Sequence, residues 1–238
     1  MGQMFYSLSI AMGILITFGS YMKKETSLED STRNVEVFDT AIAIMAGLMI
    51  IPAVFSFSGG DPDTLQAGPA LMFITIPKVF ENMGFGTVVG ILFFLLVLFA
   101  AVTSSIALTE SAVSTFEDEL GWSRRRATVL VGVIMIALGS LSSLGYGPLA
   151  GIKIIGMQFL DFFDFLTNSV MMPIAAMLTS LFVSRIVGMK RMEEEIMHGE
   201  STFRRKKIFI VMIKYLCPVF ALIILISSVA NAFGWIAM

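Results

Sequence analysis

The sequence predicts an all-α integral membrane protein with six transmembrane helices. The first indication is composition: 56% of the 238 residues are hydrophobic and 14% are charged, whereas a soluble domain carries about 25% charged residues. The second is that the apolar residues lie in long runs separated by short polar loops. The third is that lysine and arginine concentrate in alternate loops, a pattern typical of chains that cross a bilayer repeatedly.

Six segments are long enough to cross a hydrocarbon core of about 30 Å, which requires about 20 residues of helix. They are residues 2–21, 39–58, 86–115, 127–143, 159–187 and 208–235. Residues 62–82 are amphipathic and contain Pro69 and Pro77, so we expect a re-entrant or surface helical hairpin between the second and third segments. No soluble domain interrupts the pattern, and residues 1–238 are expected to form a single transmembrane domain.

The basic residues give the orientation of the segments. They are Lys23, Lys24 and Arg33 after the first segment, Arg124, Arg125 and Arg126 after the third, and Arg185, Lys190, Arg191 and residues 204–207 around the link between the fifth and sixth. The opposite loops contain only Lys78 and Lys153. This bias predicts that the basic loops are cytoplasmic and that the 62–82 hairpin is extracellular.

Polar residues lie in the middle of the first segment, in the sequence Tyr6-Ser7-Leu8-Ser9. A helix in lipid must satisfy its backbone groups internally, and serine hydroxyls that bond to carbonyls one turn earlier are a common and unremarkable solution. Alternatively, the helix unwinds here, with Gly13 supplying backbone freedom, and its polar groups coordinate a ligand. The residues alone leave both interpretations open.

The third segment contains a second polar group, Thr103-Ser104-Ser105. Consecutive residues point about 100° apart on a helix, so Thr103 and Ser104 can flank one ion, with the Ala100 carbonyl one turn below. Hydroxyl and carbonyl oxygens suit a hard cation such as sodium. The alternative is simple helix packing by small residues.

An ionisable residue begins the second segment. Asp39 is a functional candidate because charged groups at membrane depth are rare, although it could instead be an N-cap just outside the bilayer. The single histidine, His198, lies in a polar loop, so no histidine-based catalytic or metal centre forms at membrane depth and we expect no enzymatic activity. The basic runs flank helices, which indicates topology rather than nucleic-acid binding.

Two stretches carry a family resemblance. Residues 3–21 (QMFYSLSIAMGILITFGSY) and 100–120 (AAVTSSIALTESAVSTFEDEL) resemble the sixth and eighth helices of the neurotransmitter:sodium symporter family. The resemblance implies the second half of an inverted-repeat symporter fold, from the sixth to the eleventh helix, with a broken first segment. It also implies that the first five helices are missing, so that Met1 would be an internal methionine or a misplaced start.

The resemblance also assigns site residues. Around the substrate it implies an aromatic lid at Tyr6, an unwound link at Ser9 and a side-chain pocket at Met12 and Leu108. Ser7 would ligate the first sodium and touch the substrate. Ala100, Thr103 and Ser104 would form the second sodium site, with Ser104 also close to the substrate.

Asp39 falls where the family usually has an asparagine that ligates the first sodium. Its carboxylate would supply the negative charge that chloride supplies in chloride-dependent members, so chloride is expected not to be required. Asp118 resembles the inner-gate aspartate, Tyr21 and Glu110 resemble its neighbours, and Asp164 resembles the outer-gate aspartate. The arginine partners of both aspartates would lie in the missing N-terminal half.

The function implied is sodium-coupled symport of a neutral hydrophobic or aromatic amino acid across the bacterial cytoplasmic membrane, with this chain as the C-terminal half. Its expected partners are sodium ions, the amino-acid substrate, membrane lipids and the N-terminal half, and not nucleic acid. The alternative is a truncated membrane interaction subunit that needs a separate N-terminal half and does not transport alone.

Overall fold

The long apolar runs form α-helices, because a helix satisfies its own backbone hydrogen bonds without water. The computed structural model describes residues 7–57, 71–199, 202–233 and 235. The α-helices in this part of the chain are α1 (Ile14–Ser20), α2 (Leu28–Phe57), α3 (Ile76–Glu81), α4 (Gly86–Leu120), α5 (Arg124–Leu144), α6 (Phe159–Asp164), α7 (Met172–Phe182), α8 (Met189–Ile196), α9 (Lys206–Val211) and α10 (Cys217–Ala232).

Five helical stretches among the described residues are long and apolar enough to cross a membrane. They are Leu28–Ser56, Gly86–Leu120, Arg124–Leu144, Phe159–Val187 and Lys206–Ala232. The predicted all-α membrane class is therefore confirmed. Of the predicted first span, residues 7–21 are described and contain α1. Of the predicted hairpin, residues 71–82 are described, and its re-entrant course stays a prediction.

The helix α2 begins at Leu28, eleven residues before the predicted start of the second span at Asp39. Ser27 caps it, since the Ser27 hydroxyl oxygen accepts a hydrogen bond from the Asp30 N–H at 3.1 Å. Glu29 and Asp30 in the first turn complement the positive end of the helix dipole. Hydropathy marks the apolar part of this helix and misses its polar first turns. Asp39 therefore lies inside a helix and is not its N-cap.

The described residues contain four wider, π-helical turns, and a proline follows three of them. These three are Leu71–Thr75, Phe165–Met171 and Met212–Leu216, and the prolines are Pro77, Pro173 and Pro218, each at the start of the next α-helix. The remaining turn, Val183–Val187, ends at Gly188. A proline inside a helix has no N–H to donate and its ring clashes with the preceding turn. The wider turn relieves this conflict without ending the helix.

The last of these turns leaves a carbonyl that α7 satisfies. The Cys217 N–H donates to the Met212 carbonyl, five residues back. In the same pattern the Ile213 carbonyl would face residue 218, which is a proline and has no N–H. The buried Ser180 hydroxyl of α7 donates to the Ile213 carbonyl instead.

The chain divides into two compact units. The first comprises Met1–Thr32 and Ala107–Met238, and the second comprises Arg33–Ile106. In the first unit, Val113, Ala127 and Val131 form a buried apolar cluster between α4 and α5. In the second, Phe80 of α3 packs edge-to-face on Phe93 of α4, with ring centroids 5.5 Å apart.

Candidate functional site

The segment that precedes α1 is unwound. Leu8 to Gly13 form turns and bends rather than a helix, and three residues have positive φ angles: Ser9 (51°), Ala11 (64°) and Gly13 (80°). Residues with a β-carbon seldom adopt this conformation, and each instance costs of order 1–3 kcal/mol. Two strained non-glycine residues within three positions mark a segment that its surroundings hold in place, which is a common property of binding sites.

The end of the unwound segment lies directly against α4. The Ser111 hydroxyl donates to the Met12 carbonyl at 3.4 Å, a long bond. A β-carbon added to Gly13 would lie 2.7 Å from the Ser111 hydroxyl oxygen. Gly13 thus suits this position in two ways: it adopts the positive φ angle without strain, and it has no β-carbon to displace the Ser111 hydroxyl. One turn further on, the Thr17 and Ser114 hydroxyl oxygens lie 3.3 Å apart.

The structure brings together two oxygens of the predicted second sodium site. The Thr103 hydroxyl donates to the Ala100 carbonyl at 2.9 Å. Oxygens this close can both reach one hard cation at ligand distances of about 2.3–2.6 Å, as they do around calcium. Ser104, the third predicted ligand, is exposed on the next position of the helix. The same hydrogen bond also fits the simple packing interpretation.

A charged cluster links the C-terminal end of α1, the last three turns of α4 and the start of α5. The Tyr21 hydroxyl donates to Glu110 Oε1 at 2.7 Å. Arg124 donates to Glu110 Oε2 at 2.5 Å and to Glu117 Oε2 at 3.2 Å. Tyr21 and Glu110, which the resemblance placed beside the inner gate, are therefore in direct contact. Asp118, the predicted gate residue, is exposed on the next position of α4.

Sequence reasoning missed Arg124. It was counted among the basic residues that set topology, although its position after FEDE and the Gly121 turn was visible. Gly121 has a φ angle of 63° at the α4–α5 turn, and α5 begins at Arg124. This tight connection brings a cation at the start of α5 back to the acidic residues near the end of α4.

The remaining predicted residues lie apart from these contacts. Asp164 ends α6 and accepts a hydrogen bond from the Asn168 side chain at 2.5 Å. Asp39 is half-buried within α2, Met12 is half-buried, and Leu108 is 46% exposed. Ser7 is exposed and Ser9 is half-buried. Tyr6 lies outside the described residues.

Helices long and apolar enough to cross a membrane, together with an unwound segment ahead of α1, define the class as an integral membrane protein with an interrupted helical segment, a feature of secondary transporters. The chain belongs to the sodium:neurotransmitter symporter family, whose family model matches residues 1–234. It is thus a multi-pass protein of the cell membrane, in a family of sodium-dependent transporters.

Three relatives support this assignment. A sodium-dependent transporter of Haemophilus influenzae is 33% identical over 229 residues, 96% of this chain and 49% of that protein. The sodium-dependent transporter YhdH of Bacillus subtilis is 32% identical over 201 residues, 84% of this chain and 44% of that protein. The crystal structure of MhsT in complex with L-phenylalanine matches with a TM-score of 0.84 and 36% identity, over 95% of this chain and 50% of that chain. The chain therefore spans about half the length of the relatives it matches.

Proposed function

We propose that this chain provides half of the sodium and substrate sites of a symporter for a neutral hydrophobic or aromatic amino acid. The observation that carries the proposal is the unwound segment, with positive φ angles at Ser9, Ala11 and Gly13. Broken helices expose half-helix ends and backbone groups that bind substrate and ions in transporters. The relatives are named as transporters rather than enzymes.

Ala100, Thr103 and Ser104 are proposed as ligands of one sodium ion. The support is the 2.9 Å separation of the Ala100 carbonyl and Thr103 hydroxyl oxygens, together with the resemblance of the surrounding sequence. Neutral oxygens hold a monovalent cation without binding it irreversibly, which suits an ion that must be released on the other side.

A separate sodium ion, the first sodium of the family resemblance, is proposed to have Ser7 and Asp39 among its ligands. Asp39 lies eleven residues after the start of α2, too far along the helix to cap its N-terminus. A carboxylate at membrane depth is energetically costly and is therefore a candidate for a functional role. If it binds sodium, the protein itself provides the negative charge, and chloride is not required.

The substrate class follows from the apolar side chains proposed for the pocket. Tyr6, Met12 and Leu108 offer an apolar surface, and methionine adapts to varied shapes. Ser9 in the unwound link and the Ser7 and Ser104 hydroxyls are proposed to meet the polar part of the amino acid. L-Phenylalanine, the ligand in the matching MhsT structure, belongs to this class.

Gating is proposed for the charged cluster and for two exposed aspartates. Tyr21, Glu110 and Arg124 already connect α1, α4 and α5, so their bonds would break or form if these helices move. Asp118 and Asp164 are proposed to pair with arginines of the N-terminal half. The relatives carry the matching region within one longer chain, so a separately encoded half is not favoured, and residues 1–238 are proposed as part of one transmembrane domain.

The function is tested in a full-length transporter that carries this sequence as its second half. Binding of radiolabelled L-phenylalanine should depend on sodium, and unlabelled neutral apolar amino acids should compete. Glutamate and lysine should not. Competition by charged amino acids alone would contradict the substrate class, and binding independent of sodium would contradict the symport mechanism.

The sodium ligands are tested by Thr103→Val with Ser104→Ala, which removes two hydroxyl ligands. The sodium concentration for half-maximal uptake should rise by about tenfold or more, since each lost ligand weakens the site by 1 kcal/mol or so. Ser105→Ala is the matched control, because the Ser105 hydroxyl donates to the Val102 carbonyl of its own helix. If the wild type, the double variant and Ser105→Ala show the same sodium dependence, these hydroxyl residues serve helix packing and do not bind sodium.

Asp39 is tested by exchanging the anion. Replacing chloride by gluconate at constant sodium should leave uptake unchanged. Asp39→Asn should weaken sodium coupling or make uptake respond to chloride, because the fixed negative charge is gone. Glu36→Gln, a neutralisation one turn earlier in α2, is the matched control. A chloride requirement in the wild type, or an Asp39→Asn variant that behaves like the control, would show that Asp39 is not the charge at this site.

A further inference from the structure

The start of the span Lys206–Ala232, which the basic residues predict to be its cytoplasmic end, combines basic and apolar residues on one exposed surface. Lys207 and Lys214 lie seven positions apart, which is about two helical turns or 10 Å along the axis. Both are exposed, as is Val211 between them. Lys214 lies inside the π-helical turn Met212–Leu216, which displaces it around the axis by less than one residue position, so the two lysines stay on neighbouring parts of the exposed surface.

These cations are poorly compensated by the protein. Basic residues at the start of a helix oppose its dipole, and α9 begins with Lys206 and Lys207. Lys206 pairs with Glu193. Within the described ranges, neither Lys207 nor Lys214 has an acidic partner, and the Lys214 ammonium lies 5.4 Å from the centre of the Tyr215 ring.

The depth of Lys214 places it at the boundary between headgroups and hydrocarbon. Phe233 and Trp235, an aromatic pair with ring centroids 5.9 Å apart, mark the opposite end of the span. Counting back about 20 residues, the number that crosses the hydrocarbon, reaches Lys214. A lysine at this depth extends its ammonium group toward the phosphate layer.

An apolar stripe continues from the basic residues toward the middle of the span. Val219, Ile223 and Ile226 follow Tyr215 at helical spacing, with exposures of 52%, 55% and 60%. The face thus has two cations and a phenol at one end and aliphatic side chains along the rest. A molecule that matches it has an anionic head and a long apolar tail.

We infer that this face binds an anionic phospholipid, such as phosphatidylglycerol. The lipid phosphate lies between Lys207 and Lys214, the Tyr215 hydroxyl reaches the headgroup, and an acyl chain follows the Val219–Ile226 stripe. Anionic lipids bind basic residues at the cytoplasmic ends of membrane spans in this manner. The site is independent of the proposed sodium and substrate residues.

The test measures binding of a fluorescent phosphatidylglycerol to the purified chain in detergent, with a phosphatidylcholine of the same acyl chains as reference. The wild type should prefer phosphatidylglycerol. Lys207→Gln with Lys214→Gln should weaken phosphatidylglycerol binding by about 25-fold, from about fivefold for each cation near a headgroup. Lys207→Arg with Lys214→Arg should retain it.

Lys23→Gln with Lys24→Gln is the matched control, because it removes the same charge from two exposed lysines on the same predicted side. If this control loses as much phosphatidylglycerol binding as the Lys207→Gln with Lys214→Gln variant, the effect comes from the net charge of the protein, and the proposed site is overturned. Competition by soluble glycerol phosphate as strong as that by the intact lipid would overturn the acyl-chain contact. Absence of the preference in a full-length transporter that carries this sequence would show that protein covers the face, and would overturn the proposal.

Discussion

The contact between α1 and α4 and the contact between α7 and α10 are built from different residues. The first is polar: Gly13, Thr17, Ser111 and Ser114 meet there, next to a segment with positive φ angles. The second is largely apolar and buries Met172, Pro173 and Ala221, with Ser180 as its buried hydroxyl.

This difference indicates that the two irregular backbone segments, the unwound segment before α1 and the π-helical turn before α10, have different roles. The irregular turns before α1 contain Ser9 and Met12, which are proposed to meet the substrate, and strained conformations persist there. Near α10 the π-helical turn is closed by a hydroxyl from a neighbouring helix, and its carbonyl is satisfied within the protein. The first arrangement suits a part that binds and releases ligands, and the second suits a part that stays fixed. Three substitutions test this distinction.

The largest effect is expected for Gly13→Ala. The substitution places alanine in a left-handed conformation, which costs about 1–2 kcal/mol. Its β-carbon also displaces the Ser111 hydroxyl, which can rotate away but then loses its bond to the Met12 carbonyl, at about 0.5–1.5 kcal/mol. The free energy of unfolding of the chain in mixed micelles should fall by roughly 2–3 kcal/mol. Gly19→Ala in the same helix is the control, because its β-carbon meets no atom within 4 Å.

If Gly13→Ala is no more destabilising than Gly19→Ala, the segment is not held against α4. Adding Ser111→Gly to Gly13→Ala separates the two causes. In the Ser111→Gly background, where the hydroxyl is already absent, Gly13→Ala should cost only the part due to the φ angle.

An intermediate effect is expected for Ser180→Val, which removes the donor to the Ile213 carbonyl. A buried carbonyl without a partner costs about 1–3 kcal/mol, so the free energy of unfolding should fall by about 2 kcal/mol. Pro218→Ala restores a backbone N–H, and in that background the cost of Ser180→Val should be smaller. Additive effects in this double-mutant cycle would show that Pro218 is not the reason for the contact. Ser184→Ala, which affects a bond within its own helical stretch, should be nearly neutral.

The smallest effect on stability is expected for Arg124→Gln. The Arg124 side chain is 58% exposed, and exposed ion pairs contribute about 0.2–1 kcal/mol. Its removal should lower the free energy of unfolding by less than about 1 kcal/mol, and choline chloride should reduce the difference through screening. Arg125→Gln is the control. A loss as large as that of Gly13→Ala would make the cluster a structural element rather than a gate.

The sequence contained most of the fold and part of the site. Hydropathy predicted six spans, and five of them correspond to the helical stretches long and apolar enough to cross a membrane among the described residues, because the hydrocarbon core favours long apolar runs. It missed the start of α2, although Ser27 and Asp30 form a visible N-cap pattern. The hydroxyl residues and Gly13 left the break before α1 open, and only the family resemblance implied it. The positive φ angles at Ser9 and Ala11 depend on the surrounding fold and have no local signal.

Long-range contacts were beyond sequence reasoning. Nothing near Ser180 indicates that its hydroxyl serves a carbonyl 33 residues away. Arg124 could have been recognised as a partner for acidic residues across the short α4–α5 turn. The relation of Asp39 to any ion depends on where neighbouring helices lie, which its own segment does not encode.

Pro218 also determines the rotational phase of α10. A π-helical turn holds one more residue than an α-helical turn, so every side chain after it is offset by about 100° around the axis. With this offset, the small residues Ala221 and Ala230 occupy the buried positions, where they allow close helix approach. Without the wider turn, Phe220 and Val229 would point in those directions. Through the turn that precedes it, Pro218 thereby decides which side of α10 packs within the protein and which side stays exposed.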